Sequence, residues 1–329
     1  MQGGVTMPTA VQPTPLATHV PVMAPQVVEI LRSCLDRPNT VLVDGTVGLG
    51  GHAFTLLDAC PLSSLIGIDR DGEALAAAAE RLAPFGDRVH LVRARFDELG
   101  AILDELGIDH ADAILLDLGL SSLQIDEARR GFAYAQDGPL DMRMDDRQSL
   151  NAATIVNTWD LDTLVSVLRD YGEEPHAHRI ARVIVSTRES TPITSTGQLV
   201  EIVTAAMPAA VRYGSGGHPA KRVFQALRMA VNDEASSLAA ALPVALSRLA
   251  PGGRLAVLSY HSLDDRLVKR TFQQACQDQA PRGLPVVPES MRARFKLVSK
   301  GALRPDDAEV GENPRAASAR LRVIEGGIQ

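Results

Sequence analysis

Runs of strong β formers alternate along the chain with stretches whose apolar residues recur at helical spacing. Val41–Val43, Leu65–Ile68, Val89–Val92 and Ala113–Leu116 are short runs rich in β formers, as strands are. A helical pattern from Pro25 to Leu35 precedes the first run, and an Ala-rich one from Glu73 to Leu82 separates the second from the third. Strands alternating with helices predict a parallel α/β sheet, because each parallel crossover needs a dozen or more residues and usually supplies a helix. A fifth strand is predicted over Arg254 to Tyr260, after a helix from about Glu234 to Leu249. Near the C-terminus "FKLVSK" and "ARLRVIE" predict two strands joined by a long polar loop, an antiparallel edge hairpin.

Between strands four and five the chain carries far more residues than one crossover requires. The segments "LDTLVSVLRDYG", "EPHAHRIARVIVSTRES" and "STGQLVEIVTAAMP" are helical in pattern; the last opens on a capping box, Ser195 with Gln198, and ends at Pro208. A Gly-rich loop, "RYGSGGHPAKR", then returns the chain to the helix "RVFQALRMAVNDE". The expected organisation is an all-helical insert over residues 131–222 within a sheet domain formed by 19–130 and 223–329. Residues 1–18 have no charged side chain and no periodicity, so they are expected to be a disordered tail.

The chain has 329 residues, enough to bury a substantial core. Cys34, Cys60 and Cys276 are far apart, without a C-x-x-C pair. This argues against a zinc site, an iron–sulfur cluster or a disulfide framework. No apolar run approaches the ~20 residues of a membrane span, and the N-terminus lacks the basic and apolar regions of a signal peptide, so a cytoplasmic protein is expected. A net charge of -7 argues against a whole-surface nucleic-acid binder, while local basic patches can coexist with it. Arg129, Arg130, Arg143 and Arg147 border the insert, Lys221, Arg222, Arg266, Lys269 and Arg270 flank the second half, and Arg292, Arg294, Lys296 and Lys300 lie in the tail.

The stretch "VLVDGTVGLGGHAFTLL" ends the first strand at Asp44 and enters a helix through Gly48, Gly50 and Gly51. Glycine lets the backbone approach a ligand, and a helix N-terminus presents free N–H groups. One helix length on, "LIGIDRD" ends the second strand at Asp69, the spacing at which an acid grips ribose hydroxyls. Two cofactor classes fit. Gly48-x-Gly50-x-x-Ala53 satisfies the dinucleotide fingerprint, which would make the protein an NAD(P)-dependent oxidoreductase. Against that, Asp44 would repel a pyrophosphate. S-adenosylmethionine has no phosphate and carries a sulfonium and an ammonium, for which an acid is an asset. Asp44-x-Thr46-x-Gly48-x-Gly50 is similar to the methyltransferase loop D-x-G-x-G-x-G, with Thr46 in place of the first glycine.

Strand four ends in "ILLDLGLSS", and ligands of open α/β sheets bind beyond the strand ends at the switch point. Asp117 should face the cofactor. Amino-group methyltransferases carry D/N-P-P-Y/F here, and this chain has neither the prolines nor the aromatic residue. Strand five ends in "LSYHSLDDR", which puts His261 at a catalytic edge, Tyr260 beside it as an aromatic face, and Asp264 or Asp265 near enough to orient the imidazole.

The blocks "HVPVM", "DGTVGLGGH", "GIDRD", "RFDEL", "DLGLSSLQID", "GFAYAQDGPLDMRMD", "AKRVFQALRMAVNDE", "PGGRLAVLSYHSLDDRLVKR" and "NPRAASARLRVIE" together resemble the bacterial ribosomal RNA small-subunit methyltransferase H family, also called MraW, from His19 to about Glu325. The resemblance implies a class I, Rossmann-like methyltransferase that transfers methyl from S-adenosyl-L-methionine to N4 of a cytosine in the decoding region of 16S ribosomal RNA. The RNA partner would be part of an assembled or late-assembly small subunit, with no membrane involved. Carried onto matching positions, the cofactor contacts would be Gly50, Gly51, His52, Asp69, Phe96, Asp117 and Gln124. Ser121, Ser122 and Tyr260 are the candidate substrate contacts and His261 the candidate proton acceptor; no metal is expected. None of the cysteines falls at a strand end near the switch point, where a ring-carbon methyltransferase would need its nucleophile. A noncatalytic RNA-binding module keeping the pocket as a relic is a third reading. The block "GEEPHAHRIARVI" leaves Glu173 and Glu174 without a physical account.

Overall fold

The computed structural model describes residues 21–208, 218–280 and 287–327. The expected tail and most of the Gly-rich return loop lie outside the described residues. The strands are β1 (Thr40–Asp44), β2 (Ser63–Asp69), β3 (Val89–Arg93), β4 (Ala111–Asp117), β5 (Leu249–Ser259), β6 (Phe295–Leu297) and β7 (Arg320–Gly326). They form one sheet in the order β3-β2-β1-β4-β5-β7-β6. β1 to β5 pair in parallel, and β7 runs antiparallel to both β5 and β6.

The continuous apolar runs of β1, β2 and β4 reflect burial on both faces, whereas β3, at the sheet edge, is only partly buried. Successive side chains of a strand point to opposite sides, so Leu42, Ala113, Leu115, Ala256 and Leu258 enter one core with α1 (Ala24–Leu35), α2 (Gly51–Ala59) and α3 (Gly72–Leu82). Their neighbours Val43, Ile114, Leu116, Leu255 and Val257 enter the other, with α4 (Leu99–Glu105). The hairpin expected at the C-terminus is present, with β6 outermost. Its connecting segment, read as a polar loop, contains a short helix over Asp307–Glu312 and a 3-10 turn over Pro314–Ser318.

After β4 come α5 (Ser122–Asp126), α6 (Ala152–Thr158), α7 (Leu161–Asp170), α8 (Ala177–Arg188), α9 (Thr196–Ala206), α10 (Lys221–Asn232) and α11 (Glu234–Ser247). The last two continue into β5 and are followed beyond it by α12 (Ser262–Ala275). The predicted α7, α8 and α9 are present, and Ser195 and Gln198 form the capping box at the start of α9. α6 had no counterpart in the hydrophobic pattern; Asn151 caps it by accepting from the Thr154 N–H. Helices α6 to α10 surround an apolar cluster of their own, including Ile155, Leu168, Ile180, Leu199, Phe224 and Leu227.

Glu173 and Glu174 acquire a physical role here. Glu173 accepts from the Ser262 hydroxyl and from Arg266, both at 2.7 Å, which fastens the α7–α8 turn to α12. Buried Glu174 accepts from the His176 N–H at 2.9 Å, just ahead of α8. Among the described residues no helix is long and apolar enough to cross a membrane.

Candidate active site

The ends of β1, β2 and β4 converge where the strand order reverses, and the loops beyond them enclose a cavity of about 380 Å³. Asp44, Asp69 and Asp117 all line it. Asp69 accepts from the Gly48 N–H at 2.8 Å and from the Asp71 N–H at 2.9 Å, so both its oxygens are aimed by backbone. The Thr46 hydroxyl accepts from the Asp117 N–H at 2.6 Å, while the Thr46 N–H donates to Asp44 at 3.1 Å. A glycine at 46 would leave the β4 amide without this acceptor, which is why Thr stands in the loop. Gly51 lines the cavity and Gly50 does not. Gly50 has φ 75° as the residue preceding α2, and a Cβ there would sit 3.3 Å from Leu82 Cγ. Its part is to turn the chain.

None of the three acids is in an ion pair with Lys or Arg among the described residues. Burial pushes the Asp44 carboxyl up to about 7, against the opposing pull of His52 and the Thr46 amide. Burial also raises Asp69. His52 is 6% exposed. Its Nε2 lies 3.5 Å from Asp117 Oδ2, outside hydrogen-bonding geometry, and neither ring nitrogen has a hydrogen-bond partner. An acidic hollow with orphaned ring nitrogens repels a pyrophosphate and fits a cationic ligand that also carries hydroxyls. S-adenosylmethionine meets that description.

Phe96 opens the turn after β3 and forms part of the wall. Gln124 also lines the cavity, with both ends of its amide engaged: Nε2 donates to Asp71 at 2.9 Å and Oε1 accepts from the Ser121 N–H at 3.1 Å. The Ser121 hydroxyl caps α5, and that of Ser122 accepts from Arg315 at 3.3 Å. Tyr260 donates its hydroxyl to Asp117 at 2.9 Å; burial, then the Asp117 charge, raise the phenol.

His261 lines the cavity beside Arg228, whose guanidinium donates to His261 Nε2 at 3.0 Å. Burial, with Arg228 and Lys221 close by, pushes the imidazole down to about 3. The ring is therefore neutral, and its acceptor nitrogen is occupied. Neither acid orients it by a hydrogen bond: Asp265 instead accepts from Arg320 and Arg322 at 2.7 Å, and Asp264 faces the cavity. Arg228 and its bidentate partner Glu234, at 2.8 Å on both bonds, were missed by the motif reading. A signal existed, since Arg228 falls on the same helical face as the apolar Phe224 and Val231. The three cysteines are free, and none lines the cavity.

Several basic residues singled out in the sequence are paired internally. Arg130 bonds buried Asp71 at 2.6 Å, Arg143 bonds Asp141 at 2.8 Å, Arg147 bonds Asp145 at 2.7 Å, and Lys296 bonds Glu325 at 2.8 Å. Lys221, Lys269, Arg270, Arg292, Arg294 and Lys300 are exposed and carry no ion pair among the described residues.

A sheet in this order, with its last long strand antiparallel and an acid-lined glycine loop at the switch point, defines a Rossmann-like class I methyltransferase that uses S-adenosylmethionine. The chain belongs to the MraW methylase family, whose model matches residues 16–326. A relative from Cutibacterium acnes, named Ribosomal RNA small subunit methyltransferase H, is 58% identical across 94% of this chain and 92% of its own length. Proteins of the same name from Acidothermus cellulolyticus and Thermobifida fusca are 55% and 53% identical; the alignments cover 94% and 95% of this chain and 94% of each relative.

Proposed function

We propose that this protein methylates N4 of a cytosine in the decoding region of 16S ribosomal RNA, with S-adenosylmethionine as methyl donor. The observation that carries the reading is 58% and 53% identity, over nearly the whole chain, to small-subunit ribosomal RNA methyltransferases, joined to a cavity in which Asp44, Asp69 and Asp117 have no Lys or Arg partner among the described residues. Its substrate would be the assembled or nearly assembled small subunit, met in the cytoplasm.

Asp69, held by two amides, has lone pairs left for the ribose hydroxyls of the cofactor. His52, Asp117 and Gly51 border the acidic hollow, Phe96 offers a face for adenine, and Gln124 braces α5 against Asp71. When bound, the cofactor supplies an electrophilic methyl group, so the protein's task is mainly to align the target amine and exclude water. That amine is a poor nucleophile because its lone pair is delocalised into the ring. Acceptors in the Asp117 to Ser122 segment can draw its N–H bonds out of plane, and Tyr260 offers a ring against the base. His261, neutral with Nε2 already bonded, is suited to positioning rather than to taking a proton.

The test is nucleoside mass spectrometry of 16S ribosomal RNA from cells with and without the active protein. N4-methylated cytidine should disappear in its absence. Loss of the 5-methyl isomer alone would overturn the amine assignment, and no change in any methylated cytidine would sink the RNA reading.

A further inference from the structure

Five acids line the cavity: Asp44, Asp69, Asp117, Glu234 and Asp264. Four are engaged, by the Thr46 amide, by the amides of Gly48 and Asp71, by the Tyr260 hydroxyl, and by Arg228 respectively. Asp264 alone among them has no hydrogen bond and no ion pair among the described residues, although it is only 5% exposed. A buried carboxyl in the first turn of a helix usually takes a partner from the backbone or a neighbouring side chain, and one without is costly.

We infer that Asp264 is a catalytic residue: its carboxylate accepts the N–H of the target amine and takes the proton that leaves. This rests on the reading of the protein as an amine methyltransferase. It deepens that reading by replacing His261, whose acceptor nitrogen is occupied by Arg228, with a carboxylate three residues further on, on the cavity side of α12. As the new nitrogen–methyl bond forms and the methyl–sulfur pair departs with sulfur, one amine N–H bond breaks. Its electron pair stays on nitrogen and its proton passes to a carboxylate oxygen of Asp264.

The surroundings suit that role. Burial, assisted by Glu234 on α11 and opposed by Arg228 on α10, pushes Asp264 up to about 6. It is then mostly ionised at neutral pH yet more basic than an ordinary carboxylate, which is where a general base is most effective. His261 in the preceding turn is neutral, and Asp265 is neutralised on the other side by Arg320 and Arg322 of β7.

The experiment compares the wild type with Asp264→Asn and Asp264→Glu in single turnovers on small subunits that lack the modification. Calorimetry with S-adenosylhomocysteine and thermal melting are run on each protein. Removing a general base costs roughly 10²- to 10⁴-fold. Asp264→Asn should therefore lose at least ~100-fold in rate while S-adenosylhomocysteine affinity stays within about twofold. Asp264→Glu should recover part of the rate. The wild-type rate should rise with pH through about 6, and Asp264→Asn should lack that limb. An Asp264→Asn enzyme with the wild-type rate and limb overturns the inference and leaves the methyltransferase reading standing. If Asp264→Asn fails to fold, a wild-type rate that is flat between pH 5 and 7 overturns it equally. A wild type that methylates no small-subunit RNA removes the underlying reading first.

Discussion

Asp44 is pushed up to about 7, so near neutral pH it is divided between its two forms. Because its folded pKa lies above the ordinary carboxylate value, the folded state holds the extra proton. Without ligand, Asp44 therefore lowers stability progressively as pH rises from the usual carboxylate range to about 7. A cation entering the hollow favours the ionised carboxylate, so S-adenosylmethionine binding should release protons and tighten with rising pH through neutrality. Calorimetry in two buffers of different ionisation enthalpy measures the release. It should be smaller for S-adenosylhomocysteine, which lacks the sulfonium, and Asp44→Asn should abolish the difference between the two ligands. Equal proton release by both ligands in the wild type would place the sulfonium away from Asp44.

At the scale of elements, α10 belongs to two parts of the molecule. Val223, Phe224 and Leu227 pack into the helical cluster, while Arg228 lines the cavity. Asn232, at its end, donates to the Met142 carbonyl at 2.7 Å and accepts from the Met144 N–H at 2.8 Å. We expect excision of residues 131–222 to bare the apolar side of α10, so that the shortened protein aggregates unless Phe224 and Leu227 are also made polar. The repaired variant should bind S-adenosylhomocysteine in calorimetry and methylate no ribosomal RNA. Retained methylation would show that the helical segment is not the substrate cradle. Strands were legible in the sequence because burial on both faces writes a continuous apolar run, and Asp69 and Asp117 were legible because strand ends fix their place. α6 was missed because seven residues leave too little periodicity. That Arg228 occupies the acceptor nitrogen of His261 was not legible, since it depends on where α10 lies against the loop after β5. Thr46 read as an imperfect glycine motif because its partner amide comes from β4.

Across the whole molecule the acidic total conceals how the cations are spent. Internal pairs occupy Arg130, Arg143, Arg147 and Lys296, whereas Lys269 and Arg270 on α12 stand exposed and unpaired among the described residues. α12 begins at the cavity, and we expect these two exposed side chains, neither of which lines it, to meet phosphates of the RNA further from the target base. Replacing both with Glu should weaken small-subunit binding and flatten its salt dependence by about 0.7 to 0.9 in log–log slope per lost phosphate contact. S-adenosylhomocysteine affinity should not change. An unaltered salt slope in a filter-binding series would move the RNA path elsewhere.

The wall of the cavity is closed from both ends of the chain. Pro21 stands against Gly51, and Asn313, Arg315 and Ser318 also line the cavity, with Arg315 reaching Asp126 at 2.8 Å. The strand that follows them, β7, slots between β5 and β6. The enclosing residues thus come from segments far apart in the sequence, and the cavity wall is complete only when both have packed against the sheet.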